Sequence, residues 1–271
     1  MPKTKFAKNK LSPQKSKLGF GYMIEMAQED RYKIKIRNVL ILSELKKLDE
    51  LLFKKNMDVI LFKGASLILK GYLGLDEREM SDADLIVKEK DFLAVEEGIK
   101  LLGFKKITKG RHSYYKIVGE KFAPVILDIH TYFSNFKFED FNCEETKEYR
   151  KIKLLADSDT LIILAVHPII KHGFFSEKDK KDFISVYSKA KINNQGIDLE
   201  ILNRARQYGV SLIVSLALKK CGIDFKKTKI GFKERLSYPF IKMCFYKHFE
   251  LNEYILPFFY EFNKIKEKLS S

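Results

Sequence analysis

The sequence predicts a mixed α/β domain followed by an all-helical one, and three observations carry that prediction. First, the apolar run 59–62 stops at Lys63-Gly64 and leads into a helical pattern, the strand, turn and helix of an α/β layer. Second, residues 82–87 and 125–130 alternate polar and apolar, the period of a half-buried strand. Third, beyond residue 159 apolar residues recur only at helical spacing. The expected division is a basic tail over 1–20, the α/β domain over 21–150 and the helical domain over 151–271.

Each element has its own signal. Over 22–55 the apolar residues Val39, Leu40, Leu42, Leu45, Leu48, Leu51 and Leu52 fall on a helical stripe, predicting one long helix or two consecutive ones laid over the sheet. Residues 56–58 break that pattern, 59–62 begin the sheet, and 65–72 form a short helix. After the strand at 82–87, an amphipathic helix over 89–102 ends at Gly103, a residue suited to a C-cap. Strands follow at 104–107 and 113–118 around the turn Lys109-Gly110, where Arg111 and His112 sit, and another at 124–132. The charge-dense segment 140–153 reads as a boundary. Helices then cover 159–172, opened by an Asp-Ser-Asp cap, 178–190, 198–208, 210–221 and 234–268. His167 and His172 are five residues apart, a spacing that does not suit a metal pair, and the aromatic segment 240–262 suits a core or an interface.

Bulk properties narrow the functional classes. With 45% apolar residues over 271 positions the chain is globular rather than disordered. Its net charge of +15 is concentrated at the ends. Residues 1–20 hold six lysines and no acid, and from Lys219 onward twelve basic residues face six acidic ones. Basic ends around a near-neutral middle suit a polyanionic partner such as RNA, and they suit a solvated surface equally well. Cys143, Cys221 and Cys244 form no C-x-x-C pair, which argues against a zinc site or a disulfide framework. No apolar run is long enough for a bilayer and no signal peptide is visible, so a cytoplasmic location is expected.

The chemistry concentrates in 61–87 and in Asp128. On a strand, Asp82 and Asp84 share a face, and Asp128 and His130 share one on the later strand. If the two strands are neighbours, three carboxylates converge and demand a proton or a cation between them. Oxygen ligands suit Mg²⁺, one ion or two. Gly64 at a helix start offers backbone N–H groups to a phosphate, Ser66 adds a hydroxyl, and Lys63 and Arg78 add positive charge.

These residues resemble a known family. The pattern Gly64-x-Ser66, Arg78, Asp82-x-Asp84 and a late Asp128 is similar to the DNA polymerase β-like nucleotidyltransferases. The strings K-G-x-x-L from Lys63 and R-x-x-S-D-x-D-L from Arg78 resemble the poorly characterised "nucleotidyltransferase family" proteins and the AbiEii and MenT-type toxin transferases. The likeness covers roughly 59–182. It implies a nucleotidyltransferase domain in which Asp82 and Asp84 bind Mg²⁺ and Asp128 assists. The placement of the residues themselves reads as a nucleoside triphosphate held by Lys63, Gly64, Ser66 and Arg78, with His130 touching the phosphates, orienting a carboxylate or serving as a structural histidine. The resemblance makes His172 a substrate contact, where helix termination at Gly173 is the plainer reading. The acceptor hydroxyl belongs to RNA (a tRNA end), a small molecule or a protein. Relatives carry Gly-Gly or Gly-Ser at the phosphate loop; here Ala65 follows Gly64 and the serine comes one position later. A nucleotide- or RNA-binding module that keeps the fold without turnover is the second reading.

Overall fold

A computed structural model of the chain describes residues 13–107, 112–119, 124–133 and 136–223, with side chains from residue 29 onward. Helix α1 (Pro13–Lys55) starts inside the segment expected as a tail, with a proline at its first turn where the missing N–H costs nothing. It leads to β1 (Val59–Phe62), the single-turn helix α2 (Gly64–Leu69), β2 (Ala83–Val87) and α3 (Phe92–Leu101). The hairpin β3 (Lys105–Lys106) and β4 (Ser113–Lys116) follows, then β5 (Val125–His130) and a small separate hairpin, β6 (Tyr132–Phe133) with β7 (Phe136–Lys137). Strands β8 (Cys143–Glu144) and β9 (Ile152–Leu155) complete the sheet. Helices α4 (Asp157–His172), α5 (Glu177–Asn193), α6 (Ile197–Gln207) and α7 (Ser211–Lys220) make up the helical part.

The main sheet has seven strands among the described residues, in the order β3-β4-β5-β2-β1-β9-β8. It is mixed: β5 and β2 are parallel, as are β1 and β9, and the other pairs are antiparallel. The alternation read from the sequence sorts its two faces. Leu61, Ala83, Leu85, Val87, Val125, Leu127 and Ile129 pack with Ile41, Leu45, Leu48 and Leu52 of α1 and Val95 and Ile99 of α3. The opposite face buries Ile60, Phe62, Ile86 and Leu155 against Phe133, Phe136 and Ile163 of α4. A third core joins α4 to α5, α6 and α7, and takes in Leu67 and Tyr72 from the α2 region.

The structure departs from the sequence reading in several places. The buried stripe of α1 runs through Ile41, Leu45, Leu48 and Leu52, while Val39 is 45% exposed. The phase was hidden because Asn38, Glu44 and Asp49 lie on the same stripe and are buried, each with its own partners. The charge-dense segment 140–153, expected as a boundary, holds β8 and the start of β9, which lies next to β1 in the sheet. Its charges are compensated: Lys151 and Lys153 pair with Asp58, and Asp49 accepts the N–H groups of Arg150, Lys151 and Ile152. The expected helix over 234–268, the aromatic segment 240–262, Cys244, Arg111 and the Lys109-Gly110 turn lie outside the described residues. Among the described residues no helix is long and apolar enough to cross a membrane.

Candidate active site

Register assembles the site. In the parallel pair of β2 and β5, Asp84 lies opposite Asp128 and Ile86 opposite His130; in the antiparallel pair of β1 and β2, Phe62 lies opposite Asp84. The period of two that sends Leu85, Leu127 and Ile129 into the α1 side sends Asp84, Asp128 and His130 to the other side. The ligating atoms of these three residues all lie within 4.8 Å of one another.

Asp84 is 3% exposed, so its charge needs partners. Lys63 Nζ donates to Asp84 Oδ1 at 2.8 Å, and His130 Nε2 meets the same oxygen at 3.3 Å. Burial pushes the Asp84 carboxyl up, but the hydrogen bond from His130 and the Lys63 charge outweigh it and hold the carboxyl far below the usual range. Asp82 precedes the first ladder residue and stands outside the 4.8 Å cluster, with its Oδ1 accepting the Ser81 hydroxyl at 2.9 Å. Its carboxyl is raised, by burial first and then by the negative charges of Asp84 and Asp128. Two carboxylates clustered with an imidazole, and a third close enough to feel the charge of both, are a donor set that fits a divalent cation.

Asp82 and Asp84 line a cleft of about 390 Å³, within the range of small-molecule sites. Its floor carries Lys63, Gly64, Arg78, Asp82 and Asp84, and its far wall is His167, Lys171 and His172 of α4 with Asp179 and Asp182 of α5. His130 contacts Asp84 and Asp128 neighbours it, but neither lines the cleft. His167 stacks on Phe133 at 5.5 Å and meets His172 edge-on at 5.5 Å, although the sequence spacing did not put the two on one face. Burial, and then the charge of Lys63, lowers His167 to about 2, so it is a neutral imidazole.

Arg78 comes from the loop between α2 and β2, which α1 holds in place. Asn38 Nδ2 donates to the carbonyls of Leu75 and Arg78 at 2.8 Å each, and its Oδ1 accepts the Met80 N–H. Arg37 donates to the carbonyls of Met80 and Ser81. The Arg78 guanidinium reaches Asp182 at 3.0 Å, and its Nε is buried with no partner among the described residues. It lies directly over Gly64, where an added Cβ would come within 2.6 Å of Nη1. The glycine lets the guanidinium approach the turn closely.

Two expectations change. Helix α2 has six residues rather than eight, too short to act as an extended helix dipole. Ser66 is 1% exposed, and its hydroxyl donates to the Lys63 carbonyl at 2.9 Å inside the turn, so the structure does not bring it to the cleft. Arg37, Asn38, Asp182 and His167 were missed as site-forming residues. Only Asn38 left a signal, a polar residue three before Ile41 on the buried stripe. Cys143 and Cys221 are free, and burial pushes both thiols up to about 11, so neither is a thiolate at neutral pH.

A comparison with solved structures finds the solution structure of the antibiotic-resistance factor ANT(2'')-Ia, with a TM-score of 0.45 and 12% identity, covering 64% of this chain and 94% of that one. No curated protein matches. Residues 21–223, which span every strand and helix that forms the cleft, match the profile of a family described as "uncharacterised nucleotidyltransferase"; the chain belongs to that family and is a nucleotidyl-transferring enzyme.

Proposed function

We propose that the chain transfers a nucleoside monophosphate from a Mg²⁺-bound nucleoside triphosphate to an acceptor hydroxyl, with release of pyrophosphate. The observation that carries this reading is the register of β2 against β5, which sets Asp84 opposite Asp128 beside a cleft bearing Lys63 and Arg78. Asp84 and Asp128, with Asp82 at the cleft edge, would hold the metal, one ion or two. Bound there, it would supply charge neutralisation and Lewis-acid polarisation of the phosphoryl group.

The chain's own groups do the rest. Lys63 and Arg78 bind the triphosphate, with the Gly64 backbone allowing close approach. His130 orients the Asp84 carboxylate through its 3.3 Å contact. The proton of the acceptor hydroxyl leaves to water in the open cleft, since Asp128 does not line it. As that oxygen bonds to the α-phosphorus, the bond from phosphorus to the pyrophosphate oxygen breaks and the electron pair leaves with pyrophosphate. Neutral His167 and the α4 wall close the far side of the cleft against water.

For the acceptor, the basic ends of the chain support a polyanion such as RNA, and the likeness of the Lys63 and Arg78 strings to the toxin transferases supports a tRNA 3′ end. The test is incubation with each α-³²P-labelled nucleoside triphosphate, Mg²⁺ and either total RNA or a deproteinised metabolite extract. Label on RNA is expected. Asp82→Asn, Asp84→Asn and Asp128→Asn should each reduce it at least about a hundredfold, because several kcal/mol of charge stabilisation are lost. Unchanged labelling in these variants would refute the site; label moving to a small molecule would keep the site and remove the RNA assignment.

A further inference from the structure

Lys63 is already committed to a carboxylate that the proposed reaction needs for its metal. Its ammonium lies 2.8 Å from Asp84 Oδ1, and the two side chains are only 13% and 5% exposed. The same oxygen also receives His130. A divalent cation binding between Asp84 and Asp128 must therefore share this carboxylate with a second cation where little water screens them.

The backbone adds a separate observation. Lys63 has φ 59° and ψ −136°, a conformation that L-residues rarely adopt, and it sits between the end of β1 and the start of α2. A glycine would relieve that strain, yet the position holds a lysine whose ammonium packs 5.0 Å from the Phe62 ring and points at Asp84. Lys63 also lines the cleft together with Arg78, so its flexible four-carbon stem gives the ammonium a second station over the space assigned to phosphate.

We propose that Lys63 is a displaceable counter-ion: it neutralises Asp84 in the free enzyme and moves to the triphosphate when nucleotide arrives, so that metal binds tightly only together with nucleotide. This rests on the reading of Asp84 and Asp128 as metal ligands. It makes metal and nucleotide binding mutually reinforcing, with the same factor in both directions. An empty enzyme would then not sequester free divalent cations, and Asp84 would never face the cleft as an uncompensated buried charge.

The test is Mn²⁺ titration of the full chain, followed by electron paramagnetic resonance of the free ion, with and without the four α,β-methylene nucleoside triphosphates. Without nucleotide, wild type should bind weakly, and Lys63→Met and Lys63→Gln at least tenfold more tightly. Lys63→Arg, which keeps the charge, should stay as weak as wild type. Nucleotide should tighten Mn²⁺ binding to wild type tenfold or more and add little in the neutral variants. Thermal melts in metal-free buffer establish folding, and either neutral variant suffices. Neutral variants that bind Mn²⁺ no more tightly than wild type would overturn the proposal, while nucleotide-dependent binding abolished by Asp84→Asn would leave the metal site standing. No Mn²⁺ binding to wild type with any analogue would remove the metal site and this proposal with it.

Discussion

At the residue scale, the cleft depends on side chains whose chemistry is set by burial rather than by type. His167 is neutral because the α4 wall desolvates it and Lys63 repels a proton. Its folded pKa, about 2, is below that of the unfolded chain, so the unfolded state binds the extra proton and stability falls as pH drops below about 6.5. His167→Phe, which keeps the stack on Phe133, should flatten that acid limb between pH 6.5 and 4.5 in thermal melts. An unchanged limb would place the acid sensitivity elsewhere. Gly64→Ala works differently. The new Cβ meets the far end of the flexible Arg78 side chain, which can shift while keeping its pairing with Asp182, so stability should change by less than about 1 kcal/mol. The guanidinium is nevertheless displaced from its place over the cleft floor, and KM for the nucleoside triphosphate should rise more than kcat falls. Equal KM values would show that Arg78 makes no nucleotide contact.

At the scale of elements, polar residues on α1 build as much of the site as the strands do. Asn38 fixes the Arg78 loop, and Asp49 accepts the N–H groups of three successive residues leading into β9. Asp49→Ala would leave those buried donors unpaired and should cost about 3–5 kcal/mol in urea unfolding. A loss below 1 kcal/mol would mean that water replaces the carboxylate. The contact of α1 with α3 is equally close. A Cβ on Gly98 would come within 2.5 Å of Leu51 Cδ2, so Gly98→Ala should destabilise by about 1–3 kcal/mol despite its better helix propensity. A neutral or stabilising result would show that the two helices separate freely.

At the scale of the whole molecule, α4 belongs both to the sheet's second face through Ile163 and to the helical core, and it carries the far wall of the cleft. Asp159 on α4 is fully buried and is held by Arg204 of α6 at 3.0 and 2.7 Å. Arg204 also binds the Asp140 carbonyl just before β8, which ties the helices to the sheet edge. Arg204→Met strands a buried charge and should cost about 3–5 kcal/mol. Adding Asp159→Asn should restore part of that loss by removing the charge. No recovery in the double variant would assign the cost to lost packing instead.

The sequence by itself determined the strands that carry the chemistry. The alternation of 125–130, which its burial repeats, and of 82–85 is a local property, and it placed Asp82 with Asp84, and Asp128 with His130, on the face opposite their apolar neighbours before any neighbouring strand was known. The helix end at Gly103 was legible for the same reason, since it adopts the positive φ that glycine tolerates best. Strand order was not local. Only the tertiary structure decided that β5 lies beside β2 in the register that pairs Asp84 with Asp128, that Ser66 spends its hydroxyl inside a turn, and that residues as distant as Asn38 and Asp182 hold the loop and the arginine of the cleft. A hydrogen bond or an ion pair between elements far apart in the chain leaves no periodicity to read, because its partners are chosen by proximity in the folded molecule.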